Sequence, residues 1–367
     1  MKILHLIPDL NFGGAESVLL QFCEVQKDDG NEVHIATFST RLSSRSIPGV
    51  QIHNCSNIFA QLQWSRPKQG NENYEKVLDD LEPDIVHSHS ESSMLIALAN
   101  KRSEIGYVFH FHRFPKESSL GFIKKLSESI LIKRLIEKYG NTEIVAVSTA
   151  LKNRIQKHYR LSKRQIHILG NPIKAITEAK EFNWGSGIKI LSVTRLENEK
   201  NILQIPEIVK ELEKLDLQFQ WTIYGDGSLK NALLEKIEQY NIKSSLFVKN
   251  ASEDIQSSYS DYNVYISVSR IETFGLSILE AMAKGLAVIL LPNEGSMDFI
   301  ENGENAFVIE QNDSSGQAKR ISEILKTPVQ KMKEISSKAI ETSREFEIKK
   351  IYSKLKEIYS VARTSHR

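Results

Sequence analysis

The sequence predicts an α/β protein with two doubly wound parallel-sheet domains in tandem, followed by a helical C-terminal segment. Three observations support this fold class. The chain has 367 residues, which is more than one ordinary hydrophobic core accommodates. Short apolar β-type runs alternate with amphipathic helical stretches, as is typical of parallel sheets covered on both faces. This alternation pauses once, over the polar, glycine-containing residues 172–187, where we expect the linker.

The first domain is predicted over residues 1–172. Its predicted strands are Ile3–Ile7, Val33–Phe38, Asp84–His87, Tyr107–His110, Ile144–Val147 and Ile166–Leu169. Amphipathic helices are predicted at Glu16–Lys27, Ser92–Arg102 and Ser119–Lys138. Residues 41–75 are polar and irregular, and we expect them to form a mobile surface excursion.

The second domain is predicted over residues 173–345, and a C-terminal helix over 346–367. The domain's predicted strands are Ile188–Val193, Phe219–Tyr224, Leu246–Val248, Val264–Val268 and Ala287–Leu290. The stretch from Pro328 to Val361 is charged and helical without a strand signal. Its end either extends the second domain or packs back on the first.

Charge and cysteine content exclude several classes of protein. There are 48 Lys and Arg against 46 Asp and Glu, a net charge of +2, so the cationic excess of a nucleic-acid binder is missing. Two cysteines, Cys23 and Cys55, are too few for a zinc cage or a disulfide framework and indicate a reducing compartment. No apolar run approaches the roughly 18 residues of a membrane span. We therefore expect a soluble, cytoplasmic protein.

Glycines and cations follow the predicted strands. Gly13 and Gly14 lie between the first strand and a helix, where backbone N–H groups and the helix dipole favour an anion; a simple tight turn is the alternative. Arg195 and Lys200 follow the first strand of the second domain, where they suit a diphosphate. The alternative is a solvated pair neutralised by Glu197 and Glu199. The turn Gly225-Asp226-Gly227 is by itself a weak signal.

The block from Ser269 to Gly285 carries two carboxylates eight positions apart, Glu272 before a predicted helix and Glu280 along it. The helix start at Phe274-Gly275-Leu276 offers free backbone donors. Structural alternatives are a helix-start acid for Glu272 and an i,i+4 pair with Lys284 for Glu280. The predicted core-facing residues and C-cap of this helix are Leu276, Leu279, Ala283 and Gly285.

Four histidines cluster at the ends of two predicted strands: His87, His89, His110 and His112. A metal site would need matching Asp, Glu or Cys ligands, and none has suitable spacing. His112 lies at or beyond the carboxyl end of its strand, where a histidine can act as a general base or bind a hydroxyl. A buried, hydrogen-bonded structural histidine is the alternative, and it suits His87 better than His112.

These blocks, in this order, resemble the retaining glycosyltransferases of the GT-B type, family four, over nearly the whole chain. The matching segments are Gly13–Glu16, His112, Arg195–Asn201, Gly225–Gly227 and Glu272–Ala281. The resemblance implies an N-terminal acceptor domain and a C-terminal nucleotide-sugar domain facing across a cleft, with retention of anomeric configuration.

Residue roles also follow from the resemblance. Gly13 and Gly14 would offer amides to the diphosphate, whose oxygens Arg195 and Lys200 would bind, with the Gly225-Asp226 turn nearby. Glu280 would hold the ribose hydroxyls. Glu272, Thr273 and the Phe274–Leu276 amides would hold the donor sugar, and His112 would lie beside the sugar and the acceptor nucleophile.

Two departures from the family pattern leave the donor sugar open. Residues 292–298 read PNEGSMD where the family more usually has Gly-Gly-x-x-Glu, and Thr273 stands where a glycine is usual. No Asp-x-Asp is present to hold a metal, so we expect metal-independent catalysis without a cofactor. The predicted function is transfer from a UDP- or GDP-sugar to a glycan or lipid-linked hydroxyl in surface polysaccharide or glycolipid synthesis. The alternatives are a nucleotide-sugar epimerase of the same fold and a catalytically silent scaffold.

The basic segments Ser119–Lys138 and Lys152–Arg164 suggest peripheral association with an anionic membrane. A core helix with a solvated basic edge is the alternative.

Overall fold

The computed structural model describes residues 1–11, 13–39, 46–55, 72–115, 142–161, 166–176, 181–185, 187–251 and 255–364. The chain divides into two compact units, one formed by Met1–Lys174 with Ile348–Arg367 and the other by Ala175–Glu347. The boundaries expected at 172 and 345 lie beside these divisions. The predicted helix Ser119–Lys138 falls outside the described residues, as do Lys163 and Arg164.

The first unit contains a parallel seven-stranded sheet in the order β3-β2-β1-β4-β5-β6-β7. Its strands are β1 (Lys2–Ile7), β2 (Glu32–Thr37), β3 (Gln51–Asn54), β4 (Ile85–Ser88), β5 (Gly106–Phe111), β6 (Thr142–Ala146) and β7 (Ile166–Ile168). Its first helices are α1 (Gly14–Asp28), α2 (Glu72–Leu81), α3 (Glu91–Ala99) and α4 (Thr149–Tyr159). Buried apolar residues of β1, β4, β5 and β6 form the centre of the unit.

The second unit contains a parallel six-stranded sheet in the order β10-β9-β8-β11-β12-β13. Its strands are β8 (Ile188–Val193), β9 (Phe219–Tyr224), β10 (Leu246–Lys249), β11 (Val264–Ser267), β12 (Ala287–Leu290) and β13 (Phe307–Val308). Its helices are α5 (Ile205–Glu213), α6 (Lys230–Tyr240), α7 (Ile255–Ser258), α8 (Leu276–Ala283), α9 (Ser314–Leu325) and α10 (Val329–Arg344). Two parallel doubly wound sheets confirm the predicted fold class.

One sequence expectation is wrong in part. Residues 41–75 were expected to be irregular, but they contain β3, which pairs in parallel with β2 and aligns Gln51 with His34. This edge strand is mostly exposed, so it lacks the apolar run by which the other strands were identified. Residues 41–45 and 56–71 of this stretch lie outside the described residues.

Each sheet has one point where the strand order reverses. In the first unit, the chain proceeds outward from β1 through β2 to β3, then returns to place β4 on the other side of β1. The second unit repeats this arrangement with β8 and β11. The loops after these two central strands therefore diverge, and ligands of open α/β sheets bind at such points.

The C-terminal helix α11 (Ile348–Thr364) belongs to the first unit. Its buried face comprises Ile351, Tyr352, Leu355, Ile358, Tyr359 and Ala362. Tyr359 reaches the sheet interior, and Arg363 pairs with Asp84 at 2.9 Å. Of the two expected positions for the C-terminal segment, the structure has the one on the first unit. Among the described helices, none combines the length and apolar character needed to cross a bilayer.

Candidate active site

The reversal point of the second sheet brings together Lys200 and Glu272. Lys200 follows β8 and Glu272 follows β11, and these strands are neighbours. The Lys200 Nζ donates to Glu272 Oε1 at 2.7 Å, and the two side chains are only 12% and 15% exposed. The pair therefore places a cation and a carboxylate, largely shielded from water, where this type of sheet binds ligands.

Arg195 has a different environment. Its guanidinium pairs with Glu199 at 2.9 Å and is 55% exposed. The exposed pairing with Glu199 agrees with the alternative in which acidic residues neutralise a solvated cation. Glu197 instead accepts hydrogen bonds from the backbone N–H and the hydroxyl of Ser228, and these lower the pKa of the Glu197 carboxyl. The two predicted phosphate-binding cations thus have separate carboxylate partners.

The start of α8 has a glycine in the left-handed conformation and one side chain in an unexpected position. Gly275 precedes the helix with φ of 91°, a left-handed conformation that favours glycine. Phe274 is buried against the Phe299 and Phe346 rings. Leu276 was expected to be in the core, but it is only partly buried. Because α8 begins at Leu276, Ile278 and Leu279 are the first helical residues to be fully covered.

Glu280 is held by a tyrosine that the sequence did not indicate. The Tyr259 hydroxyl donates to Glu280 Oε2 at 3.1 Å. Burial, followed by the charge of Glu280, raises the pKa of Tyr259 well above its ordinary value. Tyr259 therefore stays protonated and serves as a fixed donor. Nothing in the polar segment around it distinguishes Tyr259 from a surface residue.

A second unanticipated contributor is Gly295, in the stretch that departs from the family pattern. A Cβ atom at Gly295 would lie 2.4 Å from the Glu272 carbonyl oxygen, so a side chain there would collide with backbone. Asn293 shapes this loop, because its Oδ1 accepts from the Ser296 N–H at 3.0 Å and from the Ser296 hydroxyl at 2.8 Å. The loop thereby packs against the backbone of the Glu272–Phe274 turn.

The turn Gly225-Asp226 lies beside the Arg195 loop, since the Leu196 N–H donates to the Asp226 carbonyl at 2.9 Å. The Asp226 side chain is 68% exposed and lies 3.7 Å from Lys230 Nζ. Thr273 lies next to Phe274 and is partly buried. Thr273 thus adjoins Glu272 in sequence, whereas the Gly225-Asp226 turn contacts the loop that leads from Arg195 to Lys200.

In the first unit, Gly13 and Gly14 lie where β1 leads into α1. The Glu16 carboxylate folds back over Gly13, with Oε2 at 2.1 Å from the position of a Cβ there. Gly14 has open space on the corresponding side. Glu16 is also the acidic residue in the first turn of α1.

The predicted histidine cluster is larger than expected, because His5 of β1 joins it. The five rings are buried: His5, His87, His89, His110 and His112. Two trios, His5-His87-His89 and His89-His110-His112, have nitrogens within 4.8 Å of one another. Burial lowers the pKa of both His5 and His112 to about 4. The cluster is consequently neutral at neutral pH, which is the form that accepts a proton.

Comparison with known proteins identifies both halves of the chain. Residues 12–175 match the model of Glycosyltransferase Family 4, and residues 175–346 match that of Glycosyl transferases group 1. A poly(ribitol-phosphate) alpha-N-acetylglucosaminyltransferase of Staphylococcus aureus is 25% identical over 70% of this chain. The GtfA subunit of a UDP-N-acetylglucosamine–peptide N-acetylglucosaminyltransferase of Streptococcus agalactiae is 33% identical over 36% of it. The chain covers 51% and 26% of the lengths of these relatives.

Solved structures share the fold at low identity. S. aureus TarM, in a mutant form with Fondaparinux, alpha-GlcNAc-glycerol and UDP, has a TM-score of 0.79 and 16% identity, covering 98% of this chain and 99% of its own. Anabaena HepE with UDP and glucose has a TM-score of 0.77 and 20% identity, covering 98% and 99%. The resemblance drawn from the motifs is confirmed: this chain belongs to the GT-B glycosyltransferases, with a family 4 first half and a group 1 second half.

Proposed function

We propose that this chain transfers a sugar from a nucleoside-diphosphate donor to a hydroxyl of a cell-surface glycan or polyol-phosphate polymer. The observation that carries the proposal is the shielded Lys200–Glu272 pair at the reversal point of the second sheet. The relatives add support, since their names include acceptors of the poly(ribitol-phosphate) and poly(glycerol-phosphate) type.

We favour a UDP-sugar as the donor. Several relatives are named for UDP-N-acetylglucosamine, and structures of similar fold contain UDP or UDP-glucose. In our proposal Lys200 and Arg195 bind the diphosphate and Glu280 binds the ribose hydroxyls. Glu272, Thr273 and the amides of Phe274–Leu276 bind the sugar, beside the Gly225-Asp226 turn.

Two groups of the first unit complete the proposed site residues. Gly13 and Gly14 offer backbone amides to the diphosphate, and His112 receives the acceptor hydroxyl. As the anomeric bond breaks, negative charge grows on the diphosphate, and fixed cations and amides stabilise that charge. A neutral His112 accepts a hydrogen bond from the attacking hydroxyl. We propose that the new bond retains the anomeric configuration and that no metal takes part.

A panel of donors tests the function. UDP-N-acetylglucosamine, UDP-glucose, UDP-galactose and GDP-mannose would each be assayed for thermal stabilisation, hydrolysis and transfer to polyol-phosphate acceptors. We expect a UDP-sugar to bind and to be transferred, with the product linkage determined by NMR. Release of an epimerised free sugar would favour the epimerase, and absence of binding to every donor would favour the scaffold.

Lys200→Ala tests the proposed diphosphate site, and Lys210→Ala is its matched control. Lys210 is a cation of the same unit, over the Tyr240 ring at 4.6 Å, and its loss should leave transfer unchanged.

Activity that vanishes with a chelator and returns with Mg²⁺ or Mn²⁺ would contradict metal independence.

We also propose peripheral association with an anionic membrane on the cytoplasmic side. Within the described residues, Arg154, Lys157 and Arg160 lie exposed on or beside α4. Vesicles with and without anionic lipid would be sedimented with the protein at increasing salt. Salt-sensitive binding to anionic vesicles supports the association, and equal sedimentation with neutral vesicles contradicts it.

A further inference from the structure

Six buried groups of the first unit form one continuous hydrogen-bonded chain. His112 Nε2 lies 3.1 Å from His89 Nδ1, and His89 Nε2 lies 2.9 Å from His5 Nδ1. His5 Nε2 lies 2.7 Å from the Gln26 Oε1. Gln26 Nε2 donates to the Tyr359 hydroxyl at 3.0 Å, which lies 2.7 Å from His87 Nδ1. Elements from both ends of the sequence thus meet in a single path that ends at His112.

The path has a direction, because each neutral group can donate at one end and accept at the other. Gln26 presents its oxygen to His5, so His5 Nε2 must carry the proton. His5 Nδ1 is then an acceptor, which requires the proton of His89 on Nε2. His89 Nδ1 is then an acceptor as well, so the proton of His112 lies on Nε2. On the other side, Tyr359 accepts from Gln26 and donates to His87 Nδ1.

Reversing the Gln26 amide would reverse every assignment. With its nitrogen towards His5, all the protons on the path would move to Nδ1, including that of His112. One amide therefore selects between two states of the whole path. In the arrangement described, the Tyr359 hydroxyl is the second group that contacts the amide and accepts from its nitrogen, so the amide oxygen faces His5.

We infer that Gln26 and Tyr359 are positioning residues that set the tautomer of His112, with the proton on Nε2 and the acceptor lone pair on Nδ1. The consequence for catalysis rests on the proposed function, in which a hydroxyl donates to His112. In this state the ring nitrogen outside the path, Nδ1, is the accepting one. The C-terminal helix α11 thereby influences a residue at the end of β5.

NMR of the full chain labelled with ¹⁵N-histidine tests the inference directly. Long-range ¹H–¹⁵N correlations show which ring nitrogen carries the proton. We expect Nε2–H forms for His5, His87, His89 and His112. In Tyr359→Phe the Gln26 amide loses its orienting partner, so the ¹⁵N shifts of His5, His89 and His112 should move between those of the two tautomers. An Nδ1–H form of His112 in the unaltered protein would overturn the inference.

Tyr352→Phe is the matched control, because Tyr352 lies on the same face of α11. It also makes two hydrogen bonds, with Asp29 at 3.0 Å and Asn31 at 3.1 Å, but it is outside the path. This variant should leave the His112 shifts unchanged. Equal changes in both variants would indicate a general effect of helix docking and would overturn the inference. Gln26→Met provides a second break in the path should Tyr359→Phe fold poorly.

Kinetics adds an independent readout. We expect Tyr359→Phe to lower kcat about tenfold, a fraction of what a general acid–base group contributes, with the donor KM unchanged. An unchanged kcat in both Tyr359→Phe and Gln26→Met would overturn the inference that the path affects catalysis. The NMR result requires no donor, so it remains informative even if no sugar is transferred. Zinc or nickel retained stoichiometrically after dialysis against a chelator would also overturn the inference, since ligated nitrogens could not form the path.

Discussion

Lys200 and Glu272 are separated by 72 positions in the sequence, yet their charged atoms lie 2.7 Å apart. The contact exists because β8 and β11 are neighbouring parallel strands whose following loops end at the same edge of the sheet. Each side chain therefore depends on the other for compensation of its charge. A substitution at either residue affects both the stability of the unit and its chemistry.

A double-mutant cycle should separate these two effects. Removing one partner of a shielded pair leaves the other charge uncompensated, so Lys200→Met and Glu272→Gln should each cost about 3 kcal/mol of unfolding free energy. The double variant should cost clearly less than the sum, as measured by urea unfolding. The control is Lys214→Met, which removes a surface pair with Glu211 and should cost less than about 1 kcal/mol. Strict additivity would contradict the coupling.

Arg195 should behave differently from Lys200. It is 55% exposed, so Arg195→Ala should change the unfolding free energy by no more than about 1 kcal/mol. Loss of a charge-stabilising donor should nevertheless lower turnover about 10²–10³-fold. Arg320→Ala, which removes a comparable exposed pair with Glu323, is the control. Full turnover in Arg195→Ala would remove Arg195 from the proposed diphosphate site.

Tyr259→Phe should weaken donor binding with little change in kcat. The variant removes one hydrogen bond to Glu280, a loss of about 1 kcal/mol and hence a rise in donor KM of about fivefold. Isothermal titration with UDP reports the same loss without turnover. Tyr240→Phe, at the end of α6, should have no effect. An unchanged affinity for UDP would contradict the proposed binding of the nucleoside by Glu280.

Gly295→Ala should displace the turn that carries Glu272. The new methyl group would collide with backbone atoms at 2.4 Å, so we expect a loss of about 1–3 kcal/mol together with weaker donor binding. Gly316→Ala is the control, because the nearest atoms there are side-chain atoms at 3.1–3.2 Å. Normal stability and donor binding of Gly295→Ala would show that the loop tolerates the side chain.

The buried histidines predict loss of stability in mild acid. The folded pKa of His5 and His112 is about 4, against an ordinary value of 6.5. Between these values the unfolded chain binds more protons than the folded chain, so stability falls as pH decreases. Each histidine contributes up to about 1.4 kcal/mol per pH unit, and nothing above pH 6.5.

Urea unfolding at pH 7.5, 6 and 5 measures this slope. His112→Asn should reduce it. A slope independent of the His112 substitution would contradict the assignment.

Sequence patterns predicted the elements with strong apolar signals and located the motif residues in the loops after strands. They missed β3, which is mostly exposed and presents no apolar run. They also missed β13, which is only two residues long although the residues around it are apolar. Contacts such as Lys200 with Glu272, or Tyr259 with Glu280, depend on which strands become neighbours. His5, Gln26 and Tyr359 meet only because α11 returns to the first sheet, a long-range arrangement that no local pattern contains.

The return of α11 also has a consequence for biosynthesis. During translation, residues 175–347 emerge from the ribosome before the last helix of the first unit does. The second unit can thus complete its core while the Gln26–His5 region still lacks Tyr359. Until then, the buried side chains of Gln26 and His87 have no partner from α11, so we expect the nascent first sheet to depend on chaperones until translation ends.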